Sequence, residues 1–142
     1  MPGIAADRSA FALITAVERQ LTAAVAADLE QQGVTVEQWR VLNGLSHREG
    51  RSMSELASLA MLPAPTLTKI VDRLVAGNLV HRRSDPYDRR RVLVLLTPRG
   101  RASRTRLEQV IRRHEANLEE VLGRSGLLQL TDLLASLHAT TD

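Results

Sequence analysis

The hydrophobic period of this chain changes at Gly77, and that change limits the available folds more than any other feature. Upstream of it, apolar residues recur at helical spacing. Downstream, NLVHRR from Asn78 and RVLVLLT from Arg91 are short leucine-rich or β-branched runs joined by SDPYDRR. Side chains that repeat every 3.6 residues line one face of a helix, whereas short runs bounded by turn residues make strands. Asp85-Pro86 and Tyr87-Asp88 mark the turn. The chain is therefore expected to be mainly α, with a small antiparallel sheet of two or three strands set between helices.

The helices can be placed from their stripes and caps. Between Ala5 and Gln32, Ile14, Val17, Leu21, Ala24 and Val25 share a helical face, and Gly33 supplies a stop. A second helix starts at TVEQ, where Thr35 caps and Gln38 stands three residues on, and carries Trp39, Val41, Leu42 and Leu45 to about Arg48. SMSE opens a third with Ser52 as N-cap and Glu55 in the capping-box position, burying Met53, Leu56, Leu59 and Ala60. A fourth runs from Pro63 to Ala76, its first turn tolerating proline and Gly77 ending it. Leu67, Ile70, Val71 and Leu74 form its apolar stripe, which leaves Thr66, Thr68, Lys69, Asp72 and Arg73 on the other faces. After the hairpin, Thr97 caps a helix with Pro98 at its first position that reaches about Gly123, and a leucine-crowded last helix begins at Ser125.

With 142 residues and 44% hydrophobic content, the chain has enough apolar mass for one domain and too little length for two comfortable ones. The absence of cysteine excludes disulfides, thiolate nucleophiles and cysteine zinc sites. AFALITAV from Ala10 imitates a short signal core, but Glu18 and Arg19 follow at once and the helical period continues through them, so a cytoplasmic protein is expected. No apolar run is expected to approach the roughly 18 residues of a membrane helix, so no bilayer span is expected. Two chain ends, residues 5–32 and 97–139, carry long apolar stripes remote in sequence from the central helices. Helices of that kind pack against a partner chain, and a homodimer built by the ends is expected. The simpler alternative is that they pack on one another within one chain.

Three helices in quick succession followed by a hairpin make a winged helix-turn-helix pattern over residues 34–100. In that geometry the second helix of the turn enters the major groove of DNA and the first braces it. Ser52 to Leu62 would brace and Pro63 to Ala76 would read. Thr66 and Thr68 offer hydroxyls and methyls to phosphates or bases, and Lys69 and Arg73 carry positive charge. Net charge is only +3, but nine arginines stand against two acids, Asp85 and Asp88, between Arg82 and Arg106. That local field suits a phosphate-binding surface, and an arginine at a narrow tip can enter a minor groove. A solvated loop that is basic for solubility is the plainer reading of such a turn taken alone.

The stretch TLTKIVDRLVAGNLVHRRSDPYDRRRVLVLLTPRG, from Thr66 to Gly100, resembles the MarR family of bacterial transcription regulators. The resemblance covers nearly the whole chain in element order and about 50 residues in motif; the D-P-x-D-R-R wing followed by L-x-T and glycine is its most specific part. It implies an obligate dimer with interlocked terminal helices, whose two wings straddle a pseudopalindromic operator, and most often repression. By the resemblance Arg90 is the wing-tip arginine that enters the minor groove, and Asp88 is the acid that holds it. The expected DNA contacts are Ser52, Ser54, Pro65, Thr66, Thr68, Lys69, Arg73, Arg83, Asp88, Arg89, Arg90 and Arg91. Pro63 and Pro65 depart from the small polar residues usual at the start of the reading helix. Arg91 stands where a small residue is common and offers a further phosphate contact.

The resemblance further implies a small aromatic or phenolic effector between the dimer helices and the DNA-binding lobe. Phe11, Ile14, Trp39, Arg40 and His47 are the candidates, although Trp39 at an apolar helical position equally suits the core. The four histidines are scattered without metal-ligand spacing, so neither metal nor cofactor is expected. None of the usual catalytic motifs is present, and Ser46 beside His47 cannot face it from one helix, so catalysis is not expected. The competing class is a winged helix that binds an acidic protein partner and does not read DNA.

Overall fold

A computed structural model describes residues 8–45 and 50–141. The elements run α1 (Ala10–Gln31), α2 (Val36–Gly44), β1 (Arg51–Ser52), α3 (Met53–Ala60), α4 (Ala64–Ala76), β2 (Val80–Ser84), β3 (Val92–Leu96) and α5 (Pro98–Thr141). The strands form one antiparallel sheet in the order β1-β3-β2. Thus the hairpin gains a third strand, only two residues long, in which Arg51 pairs with Val94 and Ser52 with Leu93. Gly50 permits this edge: it lies at φ +81, and a Cβ there would stand 2.8 Å from Leu95 Cγ and 2.9 Å from the Val94 carbonyl oxygen.

Local signals fix most boundaries. The Thr35 hydroxyl accepts from the Gln38 N–H while the Gln38 side chain accepts from the Thr35 N–H, each at 3.1 Å, a complete capping box worth about 1 kcal/mol. At the next helix only half of the expected box forms: the Ser52 hydroxyl caps the Glu55 N–H, but the Glu55 carboxylate turns to other partners. α1 starts at Ala10 with Ser9 as its cap, later than the sequence pattern suggested, because the Ser9 side chain accepts from the Ala12 N–H. At the end of α4 it is Asn78, at φ 57, and not Gly77 that turns left-handed. The Asn78 N–H then reaches the Val75 carbonyl and the Leu79 N–H the Leu74 carbonyl, a Schellman closure that asparagine tolerates better than most side chains.

The core fills the space between α2, α3, α4, the base of the sheet and the first half of α5. Leu29, Val41, Leu42, Leu56, Leu67, Val71, Leu74, Val94 and Leu107 are at most 2% exposed. Each buried leucine contributes roughly 1.5–3 kcal/mol. Thr97 fastens the sheet to α5: its hydroxyl lies 2.7 Å from the Asn78 carbonyl oxygen, 3.1 Å from that of Leu79, and accepts from the Gly100 N–H at 2.9 Å. Gly100 lets this crossing close up, since a Cβ would come 1.9 Å from the Leu79 carbonyl oxygen.

The ends of the chain leave this core. α1 touches it near Leu29, its one buried residue, and α5 is broken at Gly123 (φ 73, ψ 163), a conformation open to glycine alone. Beyond the break Leu128, Leu133, Leu134 and Leu137 are 45–69% exposed, and at the start of α1 Phe11, Leu13, Ile14 and Val17 are 45–82% exposed. One expectation fails here. α1 is long and apolar enough, by length and composition, to cross a membrane, with mean hydropathy 1.3 over an 18-residue stretch of its 22 residues. Alanines interspersed among the larger residues raise the average, while Glu18 and Arg19 sit in the middle of the helix.

Candidate nucleic-acid interface

The wing is built to be firm at its base and fully presented at its tip. Along β2 the burial runs from Val80, which is enclosed, to four exposed residues, and along β3 it rises from exposed Val92 to enclosed Val94, Leu95 and Leu96. Between the strands lies the loop from Asp85 to Arg91. The Asp85 N–H donates to the Arg91 carbonyl and the Arg91 N–H to the Asp88 carbonyl, each at 2.9 Å. Both aspartates also fold their side chains back: Asp85 Oδ1 accepts from the Tyr87 N–H at 2.9 Å and Asp88 Oδ1 from the Arg90 N–H at 3.1 Å. Such side-chain turns fix a loop that would otherwise sample many shapes. Asp88 therefore holds Arg90 through its backbone N–H. Arg89 and Arg90 remain exposed.

Two ion pairs lock this wing to the helices. Arg82 on β2 donates to Asp72 on the outer face of α4. At the other strand Arg91 donates to Glu55 and, at 3.1 Å, to the Ser52 hydroxyl, while Arg51 stands 3.6 Å from the second oxygen of Glu55. Neither pair is buried, so each adds little to stability, about 0–1 kcal/mol. Their consequence is geometric: wing, bracing helix and reading helix are held in one arrangement. Glu55, Asp72 and Arg82 escaped the sequence reading. Glu55 gave only a capping signal, and no spacing links residue 55 to residue 91 or residue 72 to residue 82.

On α4 the amphipathic expectation holds. Leu67, Ile70, Val71 and Leu74 are buried, and Pro65, Thr66, Thr68, Lys69, Asp72 and Arg73 are exposed on the far side. The Thr68 hydroxyl donates to the Ala64 carbonyl at 3.0 Å, leaving its oxygen to accept and its methyl to make contacts. Pro63 is the N-cap and makes no side-chain cap bond. Ser54 is exposed and its hydroxyl lies 3.3 Å from that of Ser52. Ser52 itself is 3% exposed, with its hydroxyl engaged by Glu55 and Arg91. Arg91, although paired with Glu55 and Ser52, keeps 46% of its side chain exposed, and Arg83 is exposed and shares a groove of about 480 Å3 with Arg51, Arg91, Asp85 and Tyr87.

The effector candidates do not gather within one protomer. Trp39 is half-buried against the core and Arg40 is half-buried beside it in sequence on α2. Phe11 is 82% exposed at the far end of α1, eighteen residues and so about 27 Å along the helix from Leu29, where α1 meets the core. Ile14 is one turn closer. His47 lies outside the described residues.

The family model for the MarR family matches residues 32–91, from the end of α1 to the last residue of the wing tip. The chain is 38% identical over 115 residues to the HTH-type transcriptional regulator FarR of Neisseria gonorrhoeae, covering 80% of this chain and 78% of that protein. Among solved structures it is similar to the transcriptional repressor CouR bound to a 23-mer DNA duplex, with TM-score 0.84, 26% identity, and coverage of 93% and 94% of the two chains. It is also similar to NadR in complex with 4-hydroxyphenylacetate, with TM-score 0.78, 34% identity and 90% of each chain covered. Identity of this extent, over a reading helix braced to an arginine-tipped wing, makes this chain a member of the MarR family of winged helix-turn-helix transcription regulators.

Proposed function

We propose that the protein acts as a homodimeric repressor: each protomer lays α4 in a major groove of operator DNA and Arg90 of its wing in the adjoining minor groove. One observation carries the reading. A preorganised tip presents Arg89 and Arg90 to solvent, on the same rigid unit as the exposed Thr66, Lys69 and Arg73 of α4. Charges held in place before encounter lose little ordering entropy on binding, and each phosphate they meet releases counterions. Two copies are needed because an α4 and a wing span one half-site, and the exposed leucines beyond Gly123 together with Phe11, Ile14 and Val17 supply apolar faces for a second chain. The protein works in the cytoplasm, where the DNA is, and performs no catalysis.

The effector is a small aromatic or phenolic acid, bound between α2 and the first turns of α1 from the partner protomer. That arrangement brings Phe11 and Ile14 to Trp39 and Arg40 across the dimer, which a single protomer does not do. The similarity to a structure holding 4-hydroxyphenylacetate supports the ligand class.

The test is footprinting on the DNA immediately upstream of the protein's own coding sequence, with and without phenolic acids, combined with binding measured against salt. A protected pseudopalindrome and a log-log slope of about −0.9 per phosphate contact are expected. A protein-binding winged helix would give no protected site and weak, sequence-blind binding.

A further inference from the structure

We infer that Tyr87 is a DNA-contacting residue of the wing, its ring lying against the sugar-phosphate wall of the minor groove beside the point where Arg90 enters. The inference rests on the DNA-binding reading of the wing and adds to it a contact that no charge signals. Tyr87 is 98% exposed and is the only tyrosine in the chain. Tyrosine is enriched at interfaces because its ring packs on apolar surface while its hydroxyl finds a hydrogen-bond partner. Its placement is fixed on both sides. The Tyr87 N–H is bound by Asp85 Oδ1, and the next residue, Asp88, is anchored through its carbonyl to the Arg91 N–H and through its side chain to the Arg90 N–H. The ring thus stands in solvent on a fixed stem between Pro86 and the arginines, and Tyr87 borders the groove it shares with Arg83 and Arg91.

The chemistry of that position suits the deoxyribose-phosphate backbone. The ring face packs on the apolar edge of a sugar, and the phenol O–H donates to a phosphate oxygen, a contact that tyrosine makes in protein–DNA complexes. Neither interaction neutralises a phosphate charge. Tyr87 should therefore add affinity without adding to the salt dependence, whereas Arg90 contributes to both. Enclosing about 50 Å2 of ring surface corresponds to a change in affinity of roughly tenfold.

The experiment uses the full-length protein and the duplex that the wild-type protein selects most strongly from a random-sequence pool. Tyr87→Ala, Tyr87→Phe and Arg90→Ala are compared for dissociation constant and salt slope, and the thermal midpoint of each confirms folding. The expected result is a five- to tenfold loss for Tyr87→Ala with unchanged slope, a loss of about two- to threefold for Tyr87→Phe, and a loss with a shallower slope for Arg90→Ala. Nitration reads the same residue without mutation, because a single tyrosine is modified, and the selected duplex should shield it. Wild-type affinity for Tyr87→Ala, or nitration unaffected by DNA, overturns the inference while a weakened Arg90→Ala leaves the wing reading standing. Full affinity in both alanine variants overturns the two together.

Discussion

Leu67 and Leu133 are both leucines on apolar helical stripes, yet the first is 1% exposed and the second 69%. Leu67 belongs to a lobe whose core is closed within one chain: α4 rests on α2 and α3, the sheet base seals one side, and α5 crosses at Gly100. Leu133 belongs to the chain ends, where the start of α1, from Phe11 to Val17, and α5 beyond Gly123 leave apolar residues in water. The same amphipathic pattern therefore serves two purposes. In the lobe it makes a fold, and at the ends it leaves a surface whose burial requires a second molecule. A further contrast lies inside the lobe, where apolar packing supplies the stability and exposed ion pairs supply the alignment of wing and helices.

Substitutions can break this comparison or sharpen it. The largest effect is expected from Leu133→Asp combined with Leu137→Asp. These two residues lie one turn apart on exposed α5, and in a symmetric dimer four leucines are lost at roughly 1.5–3 kcal/mol each. Sedimentation should show a monomer with its helical circular dichroism retained and operator binding lost, and a persistent dimer would break the division between lobe and ends. Next, Leu67→Ala should destabilise the lobe by about 2–5 kcal/mol in denaturant titration without altering the association of the protein that remains folded. Arg90→Ala is expected to weaken operator binding by about 1–3 kcal/mol while the melting temperature stays put, separating the tip from the core that carries it. The smallest change is predicted for Glu55→Gln. Stability should fall by less than about 1 kcal/mol because the Arg91 and Arg51 pairs are exposed, but hydrogen exchange in β3 should quicken and DNA affinity should drop a few-fold. A large loss of stability there would mean that the ion pairs, and not packing, hold the wing.

Signals local in sequence were legible. Thr35 with Gln38 announced α2, the stripe of α4 announced which of its faces is buried, and the Asp-Pro turn announced the hairpin. Wing and reading helix could be placed for the same reason: each is set by residues within a turn or a hairpin of one another. Contacts that close long loops were not legible. Glu55 looked like a capping residue because that is all its neighbours reveal, and it took the fold to bring Arg91 to it. Nor did any local signal show that Ser52 and Arg91 meet each other and Glu55. A third strand was allowed for but not placed, because a two-residue strand carries no period and its pairing depends on β3 passing alongside.

Sequence alone determined that this chain folds as helices around a small wing, and that its positive charge collects at that wing. Period, caps and turn residues act over a few positions, and their energies do not depend on the rest of the chain. Only the tertiary structure decided which arginines are presented and which are engaged. That choice depends on partners brought together across 10 to 36 residues, Asp72 with Arg82 and Glu55 with Arg91. It also decided which leucines are enclosed, because burial is a property of what packs over a stripe and not of the stripe itself.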